Sequence, residues 1–150
     1  MEANEGLSRM GVDVRYSGST CVSLVTFGQN LFIANLGDSR AIIINEDPVN
    51  KLCGKAMPLT RDHKPDDPRE ARTILEAGGR IDSYRNNRGK KLGPERVWLQ
   101  NESVPGLAMS RSFGDQVAHK VGVHAVPEIS ELRLVPSDKI LVLASDGVWD

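Results

Sequence analysis

Residues 139–150 read K-I-L-V-L-A-S-D-G-V-W-D, and the fold of the chain turns on how this stretch is read. Ile140 to Ala144 is a continuous apolar run, short and partly β-branched, preceded by the turn-forming Val135-Pro136-Ser137-Asp138. That pattern predicts a strand buried on both faces. Asp146 stands directly at its end. A carboxylate at the mouth of a buried strand is costly unless something neutralises it. A hard divalent cation does so, because Mg²⁺ and Mn²⁺ take oxygen ligands. Gly147 is expected to permit a tight turn there. Asp150 follows four residues later, and one helical turn places it on the same side as Asp146. By themselves these residues are read more simply as a strand ending in an Asp-Gly turn.

A second strand-end carboxylate lies in residues 31–44, L-F-I-A-N-L-G-D-S-R-A-I-I-I. Two β-type runs flank the polar turn Gly37-Asp38-Ser39-Arg40, which predicts a hairpin. Asp38 is then either solvated, paired with Arg40, or joined with Asp146 around a metal at one end of a sheet. The spacing does not decide whether the two carboxylates meet.

The chain has 150 residues, the size of one domain, with 39% hydrophobic and 26% charged residues. That permits a core and is ordinary for a soluble protein. A net charge of -1 argues against a nucleic-acid binder, which concentrates positive charge. Two cysteines, Cys21 and Cys53, do not make a disulfide scaffold, and a reducing compartment is expected. No apolar stretch is long enough to span a bilayer and no secretory signal is visible. A cytoplasmic or nuclear location and a monomeric state are expected.

Residues 1–16 are polar and without period, and read as a lead-in or linker; 17–150 read as the structured region. Thr20 to Phe27 predicts a strand, joined through Gly28-Gln29-Asn30 to a partner beginning at Leu31. Ala56 to Leu59 is a further short strand. A helix start follows, with Asp67 as N-cap, Pro68 at the first helical position and Glu70 completing a capping box. Ala71, Ile74 and Leu75 make its apolar face, and Gly78-Gly79 ends it. Asp62, Asp66, Asp67 and Glu70 are read as capping or solvated groups rather than a metal cluster. His63 is read as making a loop hydrogen bond, and His119 and His124 as structural or exposed. Phe113 is expected in the core. Arg85, Arg88, Lys90 and Lys91 form a basic run, read as a solvated loop that would attract an anionic substrate if it bordered an active site. Ile129 to Leu134 alternates as a half-buried strand. Strands joined mainly by hairpins, with one clear helix, predict an α+β layered fold with mainly antiparallel sheets.

Seven motifs occur in order: S-G-S-T at 17–20, A-N-L-G-D-S-R-A at 34–41, L-T-R-D-H-K-P at 59–65, E-A-G-G-R-I at 76–81, G-L-A-M-S-R-S-F-G-D at 106–115, V-P-E-I at 126–129 and L-A-S-D-G-V-W-D at 143–150. Together they resemble the metal-dependent type 2C protein serine/threonine phosphatases, over nearly everything from Ser17 onward. The resemblance implies a sandwich of two antiparallel sheets flanked by helices. It implies two or more Mn²⁺ or Mg²⁺ ions at one end, activating a water that attacks the phosphorus of phosphoserine or phosphothreonine in a phosphoprotein. Asp146 would be a ligand of the metal centre, and Asp38 and Asp150 would help hold a further, weaker metal. The stretch from Arg80 to Pro105 matches the family's flap over the active site.

The departures from the family pattern are equally specific. The early acidic residue, the D-G-H-G motif with its candidate general acid, the phosphate-binding Arg and the late D-N pair have no counterpart here. Residues 17–150 therefore read as the central part of the phosphatase domain, without its N- and C-terminal parts. No catalytic or substrate-binding residue is assigned, and the isolated chain is expected to be inactive. Two other readings are a non-catalytic phosphatase-like binding or regulatory module, and a different metal-dependent phosphohydrolase on a similar sandwich.

Overall fold

The computed structural model describes residues 2–50 and 54–149. In chain order its elements are α1 (Glu2–Arg9), β1 (Gly18–Ser19), β2 (Cys21–Phe27), β3 (Asn30–Leu36), β4 (Arg40–Glu46) and β5 (Gly54–Pro58). There follow α2 (Pro68–Glu76), β6 (Gly79–Arg85), β7 (Lys91–Leu99), β8 (Pro105–Leu107), β9 (Phe113–Gly114) and α3 (Gln116–His119). The last are β10 (Glu128–Arg133), β11 (Asp138–Ala144) and α4 (Asp146–Trp149). The chain divides into two compact units, one of Met1–Thr20 with His63–Val126, the other of Cys21–Asp62 with Pro127–Asp150.

The second unit is a sandwich of two three-stranded antiparallel sheets, ordered β10-β3-β2 and β11-β4-β5. The β2–β3 hairpin forms as its sequence predicts. Phe27 pairs with Asn30 across Gly28-Gln29, and Gly28 takes a positive φ of 60°, the conformation that a two-residue hairpin turn demands. The run from Leu31 to Ile44 is not the expected hairpin. β3 and β4 belong to different sheets, and residues 37–39 form a corner between them, with Gly37 at φ 100°. The physical reason is burial. Leu31 and Ile33 on β3 and Ala41 and Ile43 on β4 are all 3% exposed or less. A strand that switches sheets places both alternating apolar sets on the inner faces, whereas hairpin partners share one sheet. Side chains of both sheets, among them Ile33, Pro58 and Ser130, line one cavity of about 200 Å³, so the inner faces do meet.

β11 corrects a second expectation. It is not buried on both faces: among the described residues it pairs only with β4, at the edge of its sheet, and Ile140 and Leu143 are 54% and 41% exposed. An edge strand has one neighbour, so continuous apolarity did not translate into two covered faces. β10 is half-buried at Leu132 and exposed at Ile129. The turn between them closes through the Val135 N–H, donated to Asp138 Oδ2 at 2.8 Å.

The first unit holds the sheet β6-β7-β8 and the two-stranded pair β1-β9. Its core is Ile74 of α2, Val97 of β7, Ala118 of α3, Val121 and Val123, with Ile81, Leu99 and Leu107 packed against them. α2 starts at Asp67, whose side chain accepts the Arg69 N–H, with Pro68 in the first turn. It ends before Gly78, at φ 80°. Leu75 is 57% exposed, so Ile74 is the one buried apolar side chain of the helix. Glu70, three residues past the cap, is buried and accepts from Ser110 Oγ, Arg111 Nε and an Arg111 terminal N–H at 2.9, 2.9 and 2.6 Å. Asp62, in the other unit, is likewise ion-paired rather than solvated. Phe113 is only half-buried, on β9. The basic run forms the turn of the β6–β7 hairpin, where Arg85 bonds Asp82 and Lys91 bonds Glu95.

Residues 2–9 of the polar lead-in form helix α1. Glu2 and Glu5 near its N-terminus and Arg9 at its C-terminus match the helix dipole. Asn4 Oδ1 accepts the Gly114 N–H at 2.8 Å, and Gln116 Nε2 donates to Ser8 Oγ at 2.7 Å. The helix buries no residue, which is why no apolar period announced it.

Candidate metal centre

β4 and β11 run antiparallel with Val142 opposite Ile42, Leu143 opposite Ala41 and Ala144 opposite Arg40. Arg40 and Ala144 are the last paired residues at this end, each two positions from an aspartate, Asp38 and Asp146. Both carboxylates therefore leave the sandwich at the same end of adjacent strands. They leave it differently. Asp38 lies in the β3–β4 corner and is 5% exposed, with Ser39 beside it 7% exposed. Asp146 is exposed and opens α4 directly after β11. Gly147 is not the tight turn anticipated: it lies within α4, and a Cβ there would meet nothing within 4 Å. Asp150 lies outside the described residues.

Arg40 begins β4 and is the partner of Asp62, through Nε at 3.0 Å and a terminal N–H at 2.8 Å. The guanidinium also lies over the Trp149 ring, 5.6 Å from its centroid. Trp149 donates its indole N–H to Ala144 O at 2.8 Å. The segment carrying Asp62 is laid along the start of β4: the Ala41 N–H is donated to Thr60 Oγ1 and the Leu59 N–H to Ala41 O, each at 2.9 Å. Asn35, 2% exposed, donates to Arg61 O at 2.8 Å, and Arg61 pairs with Glu128 at 3.0 Å. Motif residues 34–41, 59–62 and 143–149 thus converge in one unit. The links of Asp62 and Trp149 to Arg40 are not visible in the sequence, because they span 22 and 109 positions and no local period joins them.

Oxygen donors of this kind suit a hard divalent cation such as Mg²⁺ or Mn²⁺. The number of donors is smaller than a full shell. Among the described residues no three acidic, histidine or cysteine side chains gather as a metal cage. Asp38 and Asp146 fit as contributors to a metal site, not as a complete one. The histidines of the other unit are occupied structurally: His63 is fully buried, His119 Nε2 donates to Ser112 O at 3.1 Å, and His124 Nδ1 accepts the Val126 N–H at 3.3 Å. Burial, reinforced by the nearby Arg111 charge, pushes the His124 pKa down. Among the described residues no helix is long and apolar enough to cross a membrane.

The chain is similar to known proteins along nearly its whole length. The family described as Protein phosphatase 2C matches residues 3–150. The chain is 47% identical over 135 residues to a probable protein phosphatase 2C 72 of Arabidopsis thaliana, covering 90% of this chain and 39% of that protein. It is 43% identical over 139 residues to a probable protein phosphatase 2C 12 of Oryza sativa subsp. japonica, covering 93% and 34%. A crystal structure of serine-threonine phosphatase 2C from Toxoplasma gondii superposes with a TM-score of 0.80 at 28% identity, covering 99% of this chain and 46% of that one. The chain spans less than two fifths of the length of these curated relatives. The fold is the α+β antiparallel architecture of these neighbours. On this evidence the chain belongs to the protein phosphatase 2C family, a metal-dependent family of protein serine/threonine phosphatases.

Proposed function

We propose that the chain is the central part of a protein serine/threonine phosphatase domain that hydrolyses phosphoserine and phosphothreonine in phosphoproteins. Asp146, Asp38 and Asp150 contribute to its metal centre, the ions being Mn²⁺ or Mg²⁺. The observation that supports this reading is the β4–β11 register, which brings together the strand ends that lie two positions from Asp38 and Asp146. Bound divalent ions supply charge neutralisation and a water activated for attack on a phosphate ester. The protein's own part is to hold carboxylates at fixed strand ends, so that little reorganisation accompanies ion binding. The other ligands are supplied by sequence outside residues 17–150 of the parent domain, and the protein works as a monomer in the cytoplasm or nucleus.

The test is phosphopeptide hydrolysis by the full-length protein, with and without Mn²⁺ or Mg²⁺. Turnover should require the ion, and Asp146→Ala should abolish it. Full activity in Asp146→Ala would sink the assignment, and preference for small phosphoesters over phosphopeptides would sink the substrate class. Sequencing the source transcript on both sides tests the domain reading: D-G-H-G upstream and D-N downstream in frame are expected.

A further inference from the structure

α4 has four residues, far fewer than a helix needs to persist alone. Asp146, Gly147 and Val148 are exposed, and Trp149 is its one half-buried side chain. The position of Asp146 therefore depends on how Trp149 is held. The indole N–H ties it back to Ala144 O, and the face of the ring lies against Arg40. Arg40 is itself fixed by the fork it makes with Asp62. Asp62 is 16% exposed and Arg40 33% exposed, so this pair is less screened than a surface one. A guanidinium suits both jobs at once, its edge to a carboxylate and its flat face to an indole.

We propose that Arg40 is a positioning residue. Gripped by Asp62 and capped by Trp149, it locks α4 onto the start of β4 and so holds Asp146 against Asp38. The inference rests on reading those two carboxylates as metal ligands, and goes beyond it in naming what sets their separation. In this role Arg40 acts through Asp146 rather than on the ion itself. Its effect belongs to metal affinity, as for groups that orient ligands in other metal sites, where losing one lowers affinity about 10–100-fold.

The test uses NMR of the full-length protein, following the Trp149 indole N–H resonance, assigned by its loss in Trp149→Phe. Arg40→Lys keeps the charge but loses the fork and the flat face. Without metal it should move the Trp149 resonance toward that of a free indole. On titration with Mn²⁺, the concentration that half-broadens this resonance should rise about tenfold or more. Asp62→Asn should act in the same direction and carries the test if Arg40→Lys does not fold. An unmoved indole resonance overturns the lock. A moved resonance with wild-type Mn²⁺ affinity overturns the positioning role. Asp146→Asn separates the two layers: if it leaves Mn²⁺ binding intact, the metal reading itself fails and the positioning role fails with it. If it weakens Mn²⁺ binding while Arg40→Lys does not, the positioning inference alone falls.

Discussion

Removing Arg111 should uncouple α2 from the 107–111 segment at a cost that depends on pH. Glu70 is 3% exposed at its side chain and Arg111 16%, so this is a buried ion pair. Burial by itself pushes the Glu70 carboxyl up. Hydrogen bonds from Arg111 and Ser110, with the Arg111 charge and a smaller contribution from His63, outweigh it and hold the pKa at about 2, below the usual 4.5. A depression of that size corresponds to about 3 kcal/mol of linkage. The folded pKa lies below the unfolded one, so this stability is fully present above pH 4.5 and is lost as pH falls toward 2. Arg111→Met leaves the carboxylate buried without its cation, a change that typically costs about 3–5 kcal/mol. With a urea slope of about 1–3 kcal/mol/M, the midpoint at pH 7 should drop by more than about 1 M. The gap between the two proteins should narrow as the unfolding series is taken from pH 5 to pH 2. In Glu70→Leu/Arg111→Met much of the loss should return, since an apolar pair leaves no orphaned charge. An Arg111→Met midpoint within about 0.3 M of wild type at pH 7, or a gap that ignores pH, would refute the reasoning.

Two further changes probe local chemistry. Asp67→Ala removes the side-chain acceptor of the Arg69 N–H and should cost about 1 kcal/mol, read as a lower urea midpoint with unchanged slope. Gly18→Ala would put a Cβ 2.5 Å from Phe113 O and 2.4 Å from Asp115 Cγ. Because one of these atoms is backbone, the β1–β9 pair must open, and amide exchange at Gly18 and Gly114 should accelerate; unchanged exchange would show that the contact relaxes cheaply.

What was legible in the sequence was what is decided within about ten residues. The β2–β3 turn, the Asp67-Pro68 helix start and the Val135 to Asp138 turn each depend on neighbours that a local reading contains. The family followed from motifs, which record contacts without displaying them. The failures share one cause. Alternating burial in residues 31–44 was visible, but whether the two runs pair or separate depends on which layers they face, and the sandwich decides that. Apolarity in Ile140 to Ala144 could not tell an edge strand from a central one, because a strand's neighbours are not written in the strand. Helix α1 has no buried face and so no period to detect.

The sequence by itself determined the β2–β3 turn, the start of α2, the acidic residues next to strand ends and the membership in a phosphatase family. Only the tertiary structure decided which groups meet. Glu70 finds Arg111 across 41 positions, Arg40 finds Asp62 across 22, and Asp38 and Asp146 lie at the same end of adjacent strands only because β4 and β11 pair in that register. Local propensity acts through neighbours on the chain. The interactions that place a charge beside its partner, or two carboxylates at one end of a sheet, exist only once distant strands are aligned.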